Sequence, residues 1–193
     1  MPPWRAVGAR RVPGCCELIL RNGIIGRVTS AGAGAIPTPH RGDPTTVAPE
    51  WIDENGHFNA GFYVVAFDLA ITAWMAFIGL DDDHRAEHEV TTFTAQNHVA
   101  YLRELAAGDE FRVDTQLLGF DRKRVHAVQL MVGLRDDAVS ATCEVLSLHV
   151  SERTRRVSEM ADGPFARLER VWAAHRHLEV PDQVGRPIGL RGG

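Results

Sequence analysis

Asp53, His57 and Asn59 are the residues of this chain whose types and spacing first suggest chemistry. They belong to the segment DENGHFN, which directly precedes a long apolar stretch. A carboxylate at Asp53 can attack a carbonyl carbon or activate a water molecule to do so. If Asn59 caps a helix, the unpaired backbone N–H groups of Asn59, Ala60 and Gly61 can polarise the carbonyl oxygen. The alternative is that Asp53 only closes a turn, as aspartates before helices often do.

The element that must position these groups is the apolar segment 61–80, which is predicted to be one long helix ending at Gly79. Its length suits a bilayer, and Asp68 is its only charged residue. A carboxylate near the middle of a membrane span is costly, however, and no cluster of Lys or Arg flanks the segment. A helix that is apolar all round is also suited to burial inside a protein. The sequence therefore favours a helix wrapped by protein over a membrane span.

Four segments after this helix have the composition of β-strands, rich in β-branched and aromatic residues. They read EVTTFTAQNHVAYL, EFRVDTQLLGF, RVHAVQLMVGL and AVSATCEVLSLHV, and short turns separate the last three. In the second strand the residues alternate, so Phe111, Val113, Thr115 and Leu117 are expected on one face of the sheet. Arg112, Asp114 and Gln116 are expected on the other face. A short strand in TTVAPEWI and a C-terminal helix in GPFARLERVWAAHRHL are also predicted.

Together these elements predict an α+β fold in which a curved antiparallel sheet wraps the long helix and an extra helix follows at the C-terminus. A single sheet has open edges, so two chains are expected to pair edge to edge in a homodimer or a tetramer. Residues 1–41 are expected to be a poorly ordered leader and linker, residues 42–180 the folded domain, and residues 181–193 a tail.

The composition argues against several classes of function. The chain has 193 residues, of which 45% are hydrophobic and 24% charged, and this fits one globular domain. Its formal net charge of −4 gives no electrostatic reason to expect nucleic acid or an anionic membrane as a partner. The three cysteines have neither metal-site spacing nor a disulfide framework, which predicts a reducing compartment, by default the cytoplasm.

The sequence contains no clear motif for a metal or an organic cofactor. His84 and His88 have helical i, i+4 spacing beside a run of aspartates, but no further ligand is placed near them, so surface histidines are expected. The chain has no Gly-x-Ser-x-Gly nucleophile motif, no phosphate-binding loop and no dinucleotide fingerprint. We therefore predict neither a metal nor a redox cofactor.

The order of residues from Asp53 onward resembles the signature of hotdog-fold acyl-CoA thioesterases of the 4-hydroxybenzoyl-CoA thioesterase family. That signature is Asp-x-x-Gly-His-x-Asn followed by an aromatic and an acidic residue on the helix, here Tyr63 and Asp68. The turn LAAGD at residues 105–109, before a long strand, is also typical of the family. The resemblance covers residues 45–150 and implies a hotdog fold and hydrolysis of an acyl-CoA thioester.

Carried onto this chain, the family pattern implies catalytic roles for Asp53, His57 and Asn59. Asp53 is then the nucleophile or general base, and the backbone amides at the helix start bind the oxyanion. His57 and Asn59 also have structural interpretations, as a hydrogen-bonding residue of the turn and as the N-cap. Asp68 is the second candidate carboxylate, because another branch of the fold carries its catalytic carboxylate on this helix; the alternative is a structural or subunit-contact role.

The resemblance also implies contacts to coenzyme A, which is part of the substrate and not a cofactor. Its phosphates require cations. The candidates are Arg103, Arg122, Lys123 and Arg124, with Gly56 and Tyr63 completing the expected substrate contacts. An ordinary solvated turn is the alternative explanation for the basic run at residues 122–124.

A second likeness, over residues 98–126, is to thioesterases that accompany or are fused to carnitine dehydrogenases and are assigned to betainyl-CoA. It implies a betaine-like acyl group, whose trimethylammonium favours contact with an aromatic ring. The candidate rings are Trp51, Phe62, Tyr63 and Trp74, all of which core packing also explains. Two other functions of the fold stay open: an enoyl-CoA hydratase or dehydratase, and a non-catalytic acyl-CoA-binding protein.

Overall fold

The computed structural model describes residues 35–190, in which a seven-stranded antiparallel sheet packs with α-helices. The strands are β1 (His40–Arg41), β2 (Thr45–Thr46), β3 (Val90–Tyr101), β4 (Glu110–Phe120), β5 (Arg124–Gly133), β6 (Ala138–Ser151) and β7 (Arg156–Val157). The helices are α1 (Ala60–Phe77), α2 (Asp82–His88) and α3 (Asp162–His175), and a 3-10 turn spans Pro49–Trp51. The predicted α+β architecture, with its long helix, its meander and its C-terminal helix, is confirmed.

The strands lie in the order β1-β4-β5-β6-β3, with β2 beside β4 and β7 beside β6. The register shifts by one residue within three of the strand pairs, for example between Leu117 and Gly119 of β4. Such bulges bend a strand and increase its twist, which lets a sheet curve around a helix. The strand β3 is at the edge of this sheet, and its far side has no partner strand within residues 35–190.

The long helix α1 begins and ends at the residues that the sequence predicts. The side chain of Asn59 accepts a hydrogen bond from the Gly61 amide at 2.8 Å, as an N-cap does. At the other end Gly79 has a φ of +89°, and the Leu80 amide donates to the Met75 carbonyl at 2.9 Å. This is the Schellman arrangement, in which glycine adopts the left-handed conformation without a Cβ clash.

One face of α1 packs on the concave face of the sheet and forms the core. Phe67, Ile71 and Trp74 of this face are buried, and the sheet opposes them with apolar side chains such as Leu117 and Met131. Burying each side chain of this size stabilises the fold by about 1.5–3 kcal/mol. The prediction of a helix buried against protein is therefore confirmed for this face.

The opposite face of α1 is left uncovered by the described chain. Gly61, Val64, Asp68 and Thr72 follow helical spacing and are all exposed, and we call these four residues the open stripe. By length and composition α1 could cross a membrane, with a mean hydropathy of 1.6, and 39% of that window is buried. The sequence predicted a helix covered on every side, but one sheet can cover only one side of a helix.

The short strand predicted in TTVAPEWI is present as β2, and the segment leaves the sheet before Pro49 starts the 3-10 turn, because proline has no N–H to donate to a ladder. In β4 the polar side chains of Asp114 and Gln116, predicted on the face opposite to Phe111 and Leu117, are buried, as is Thr115. The buried carboxylate of Asp114 is paired with Arg112, whose Nε donates to Oδ1 at 3.0 Å and to Oδ2 at 3.1 Å.

The folded part of the chain also begins earlier than predicted. His40 and Arg41, assigned to the linker, pair with Thr115 and Asp114 as strand β1. Upstream of them, the Pro37 carbonyl accepts a hydrogen bond from Nε2 of the buried His175 on α3, at 2.8 Å. The predicted leader before residue 35 and the last residues of the predicted tail, 191–193, lie outside the described residues.

Candidate active site

The turn from Asp53 to Asn59 is closed by its own hydrogen bonds. The Asp53 amide donates to the His57 carbonyl at 2.9 Å, and the Gly56 amide donates to the Asp53 carbonyl at 3.0 Å. Gly56 has a φ of +82°, a conformation that favours glycine. One carboxylate oxygen of Asp53, Oδ1, accepts from the amides of Asn55 and His57 at 2.9 and 3.3 Å. The turn-closing role considered for Asp53 is therefore present.

That role leaves the other carboxylate oxygen of Asp53 available for chemistry. Oδ2 has no hydrogen-bond or ion-pair partner within the described part of the chain, and the residue is half-buried. Two backbone N–H donors on one oxygen fix the orientation of the carboxylate. The turn thus holds a fixed carboxylate with one free oxygen, which suits a nucleophile or a general base.

Backbone bonds and buried aromatic side chains fix the turn to the start of α1. The Asn59 amide donates to the Trp51 carbonyl, and the Phe58 amide donates to the Leu105 carbonyl, both at 2.9 Å. The ring of Phe58 is buried between those of Trp51 and Tyr63, at centroid distances of 5.7 and 4.2 Å. The position of the Asp53 carboxylate relative to the helix is therefore set by rigid packing.

Only part of the predicted oxyanion site has free donors. The Asn59 amide is bonded to Trp51 and the Gly61 amide to the side chain of Asn59. The Ala60 amide has no acceptor among residues 35–190, and Ala60 is exposed. Of the three predicted donors, the N–H of Ala60 is thus the one that is free in this conformation, at the positive end of the helix dipole.

His57 does not face the carboxylate of Asp53. Its Nε2 lies 3.1 Å from Oε2 of Glu104, and both side chains are largely exposed. An exposed pair of this kind contributes little to stability. The contact ties the turn to the segment that follows β3, which agrees with a structural role for His57.

Tyr101, the last residue of β3, lies at the site although it belongs to none of the motifs that the sequence shows. Its hydroxyl donates to the Ala60 carbonyl at 3.1 Å, and its ring meets that of Tyr63 edge to face at 5.3 Å. The Tyr63 hydroxyl donates to the Arg103 carbonyl at 3.4 Å. Partial burial raises the pKa of both tyrosines, so they remain neutral phenols. A strand-end tyrosine carries no sequence signal for this contact, because it depends on how β3 docks beside α1.

Asp68, the second candidate carboxylate, belongs to the open stripe of α1. It is exposed, and it has no ion pair or hydrogen bond to any residue from 35 to 190. It lies near the buried thiol of Cys143, whose pKa is raised to about 12 by burial and, next, by the charge of Asp68. Cys143 is therefore a neutral thiol and no nucleophile.

The four predicted phosphate-binding cations all have acidic partners in this structure. Arg103 pairs with Asp136 at 2.9 Å and is the one that lies beside the turn, since its carbonyl accepts from Tyr63. The other three follow β4, at the opposite end of the sheet, and their pairs are Arg122–Asp162, Lys123–Glu159 and Arg124–Asp121. The structure thus separates the basic run 122–124 from the turn of its own chain.

Two open cavities lie near these cations. One, of about 440 Å³, is lined by Arg103, Leu105 and Asp109 beside the turn. The other, of about 490 Å³, is lined by Arg124 and by His126, whose Nε2 lies 2.8 Å from Oε1 of Glu144. Each cavity mixes acidic and basic groups, so neither has the excess of positive charge that a phosphate group favours.

Two further sequence predictions concern metals and aromatic rings. His84 and His88 pack with ring centroids 4.4 Å apart, and residues 35–190 contain no group of three or more side chains suited to hold a metal ion. Of the candidate rings for an ammonium group, Trp74 is fully buried in the core and is excluded. Trp51 and Tyr63 are also buried, and Phe62 is half-buried and stacks on Trp51.

Comparisons with known proteins agree with this arrangement. The family model of the thioesterase-like superfamily matches residues 47–168. A betainyl-CoA thioesterase of Pseudomonas aeruginosa is 41% identical over 146 residues, which is 76% of this chain and 92% of that protein. An L-carnitine dehydrogenase/betainyl-CoA thioesterase of Ruegeria pomeroyi is 34% identical over 139 residues, and this chain spans 28% of its length.

Solved structures show the same fold. A putative thioesterase from Pseudomonas putida is 34% identical and superposes with a TM-score of 0.70, covering 81% of this chain and 99% of that one. A Staphylococcus aureus protein in complex with CoA is 25% identical and superposes with a TM-score of 0.76, covering 83% of this chain and all of the other. The fold that the resemblance implied is therefore confirmed.

Proposed function

Because this chain belongs to the thioesterase-like superfamily, we propose that it hydrolyses acyl-CoA thioesters and that betainyl-CoA is its substrate. The observation that carries the proposal is the turn 53–59, which holds a carboxylate with one free oxygen and leads directly into a helix whose first amide, that of Ala60, is free within residues 35–190. The relation to a betainyl-CoA thioesterase supports the choice of acyl group. Fold alone would not support it, since one fold serves many substrates.

In the proposed reaction the thioester oxygen accepts a hydrogen bond from the Ala60 amide. Asp53 Oδ2 either attacks the carbonyl carbon or takes a proton from the water that attacks it. If Asp53 attacks, the carbon–sulfur bond breaks as a mixed anhydride with Asp53 forms, and a water molecule then cleaves the anhydride and restores the carboxylate. If Asp53 acts as the base, water adds to the carbonyl carbon directly and the carbon–sulfur bond then breaks. Both routes consume one water molecule and give the free carboxylic acid and coenzyme A, whose sulfur carries a proton from that water. The Ala60 N–H stabilises the charge on the oxygen in the transition state, where it contributes most.

The proposal assigns the main chemical role to Asp53 and keeps Asp68 as the competing carboxylate. The test is free-thiol release from a panel of acyl-CoAs that includes betainyl-CoA, with wild type, Asp53→Asn and Asp68→Asn. We expect Asp53→Asn to lower kcat/KM by about a hundred- to ten-thousand-fold. Asparagine keeps the oxygen that accepts the turn amides, so the melting temperature should change little.

The matched control is Asp81→Asn. Asp81 also accepts a backbone N–H, that of His84 at 2.9 Å, but it lies at the start of α2 and away from the turn. The kcat/KM of Asp81→Asn should stay near that of wild type. Full activity in Asp53→Asn together with loss in Asp68→Asn would assign the chemistry to the helix carboxylate. Turnover of enoyl-CoA without thiol release would instead indicate a hydratase, and binding without turnover a non-catalytic protein.

We further propose that the protein is a homodimer in which β3 pairs with β3 of a second copy. Two observations support this assembly: the far edge of this long strand has no partner strand within residues 35–190, and Phe93 on it is 60% exposed. An edge of that length is otherwise prone to unwanted pairing. Light scattering after size exclusion should give the mass of two chains; a monomer would contradict the proposal, and a tetramer would add a second interface to it.

The proposed reaction requires no metal or redox cofactor, because its parts are a carboxylate, an amide and water. Activity should therefore survive dialysis against a chelator. We also propose a cytoplasmic location, which the unpaired thiol of Cys143 supports, since a reducing compartment keeps such a thiol free.

A further inference from the structure

The acyl group proposed above restricts where its charge can lie. In betainyl-CoA a single methylene separates the quaternary ammonium from the carbonyl carbon. Whatever group holds the carbonyl oxygen therefore also places the ammonium. With the Ala60 amide as donor, the ammonium must lie beside the first turn of α1. The following inference rests on that proposed function.

Most aromatic rings at this end of α1 have no face available to a ligand. Trp51, Phe58 and Tyr63 are 7%, 4% and 4% exposed, and Phe62 is half-buried against Trp51. Tyr101 differs, because it is 50% exposed while it touches the same helical turn. It is therefore the ring at this position that combines contact with Ala60 and an open surface.

Tyr101 is also held in place before any ligand arrives. Its hydroxyl is bonded to the Ala60 carbonyl at 3.1 Å, and its ring rests edge to face on Tyr63. We propose that the open face of the Tyr101 ring binds the quaternary ammonium of the acyl group and makes Tyr101 the residue that sets the preference for a charged substrate. A ring fixed in advance loses little conformational entropy on binding.

The charges around Tyr101 favour a cation. Asp68 belongs to the open stripe of the same helix, eight residues after Ala60, and is exposed. Its carboxylate has no cationic partner within residues 35–190. Arg103, which is close in sequence, is paired with Asp136. A negative group and a π-face without a competing cation together attract an ammonium ion.

The test compares two substrates that have the same shape and differ in charge: betainyl-CoA and tert-butylacetyl-CoA, in which carbon replaces the ammonium nitrogen. Wild type, Tyr101→Leu and Tyr101→Phe are assayed with both. We expect Tyr101→Leu to lower kcat/KM for betainyl-CoA by about 5- to 30-fold and to change that for the neutral substrate by less than about threefold. Tyr101→Phe keeps the π-face and should keep the preference.

Phe93→Leu is the matched control. Phe93 is also an exposed aromatic residue of β3, at 60% exposure, but it lies near the opposite end of the strand from Ala60. In Phe93→Leu, the ratio of kcat/KM for betainyl-CoA to kcat/KM for tert-butylacetyl-CoA should equal the ratio in wild type. Melting temperature and mass are measured for every variant, so that a folding or assembly defect is recognised.

Each other outcome overturns the inference in a distinguishable way. An equal loss on both substrates in Tyr101→Leu would mean that the ring only positions the helix or the subunit contact. A wild-type protein that hydrolyses the neutral substrate better than betainyl-CoA would disprove the recognition of charge while leaving thioester hydrolysis intact. Release of no thiol from either substrate would remove the proposed function and this inference together.

Discussion

The two faces of α1 differ in what they contact, although both are drawn from one continuous apolar segment. One face carries Phe67 and Trp74 and is buried against the sheet. The other carries Gly61, Val64 and Asp68 and is exposed in the described chain. The buried face fixes the position of the helix. The uncovered face and the helix start carry polar groups that have no hydrogen-bond or ion-pair partner within residues 35–190. The comparison shows how one helix can serve both as core and as support for a site.

The largest effect should come from truncating the buried face. Phe67→Ala removes a ring that is 2% exposed and leaves a cavity, so we expect a loss of about 3–5 kcal/mol in the free energy of unfolding. Asp68→Ala, the adjacent residue on the uncovered face, should change it by less than about 0.5 kcal/mol. Chemical denaturation of both variants measures the contrast, and similar losses would contradict it.

The next largest effect should come from His175, a buried polar group that contrasts with the exposed Asp68. Its Nδ1 accepts from the Leu117 amide at 3.0 Å, so the folded state needs the neutral ring. His175→Phe strands that amide and the Pro37 carbonyl and should cost about 1–3 kcal/mol. His177→Phe, at an exposed position of the same region, is the control and should cost little.

His175 also predicts the direction of a pH effect. Burial lowers its pKa from the ordinary value of 6.5, so below that value the unfolded chain binds a proton that the folded chain does not. Stability should therefore fall as the pH drops below 6.5, until the lowered pKa of the folded state is reached. The pKa values of His40, His84 and His149 are also lowered, chiefly by burial, and act in the same direction. Chemical denaturation at several pH values measures the slope of the free energy of unfolding against pH, which should be smaller, but not zero, in His175→Phe.

A smaller effect is expected at the junction of the two faces, where Asn59 caps α1. Asn59→Ala removes the acceptor of the Gly61 amide and should lower the free energy of unfolding by about 1 kcal/mol. Asn59→Asp keeps an oxygen acceptor at this position and should recover most of the loss. If alanine and aspartate behave alike, the cap contributes nothing measurable.

The smallest effect should come from His57, which is exposed and paired only across the surface. His57→Ala is expected to change the free energy of unfolding by less than about 0.5 kcal/mol, since its contact with Glu104 is largely solvated. Glu104→Ala and the double variant complete a cycle that isolates the pair. A coupling above about 1 kcal/mol would show that the turn depends on this contact more than its exposure indicates.

The sequence predicts those features that depend on neighbours along the chain. Asn59 and Gly79 mark the ends of α1 because a cap and a left-handed terminus are local requirements. The alternation in β4 identifies Phe111 and Leu117 as core residues for the same reason. The turn at Asp53 likewise follows from residues that are close in sequence.

Features that depend on docking between distant segments could not be predicted in this way. Gln116 belongs to the polar face of β4 in the alternation and is nevertheless buried, because the tertiary fold decides what covers each face of a strand. Arg122 pairs with Asp162 of α3 and stacks over Phe165. Its role in phosphate binding was predicted from its positive charge, and the sequence did not show that an acidic residue forty positions later would pair with it. Tyr101 reaches Ala60 across 41 positions of sequence. The free donor at Ala60 emerges only after the hydrogen bonds of its two neighbours are known.

The order of the elements along the chain has a consequence for synthesis on the ribosome. The helix α1 ends at Phe77, whereas the strands that cover its buried face begin at Glu110 and continue to Ser151. The most apolar segment of the protein therefore emerges well before its cover and stays unprotected while the strands are translated. Its contacts join distant parts of the chain, which makes folding slow compared with a helical bundle. During that interval the nascent chain presents the kind of apolar segment that chaperones bind.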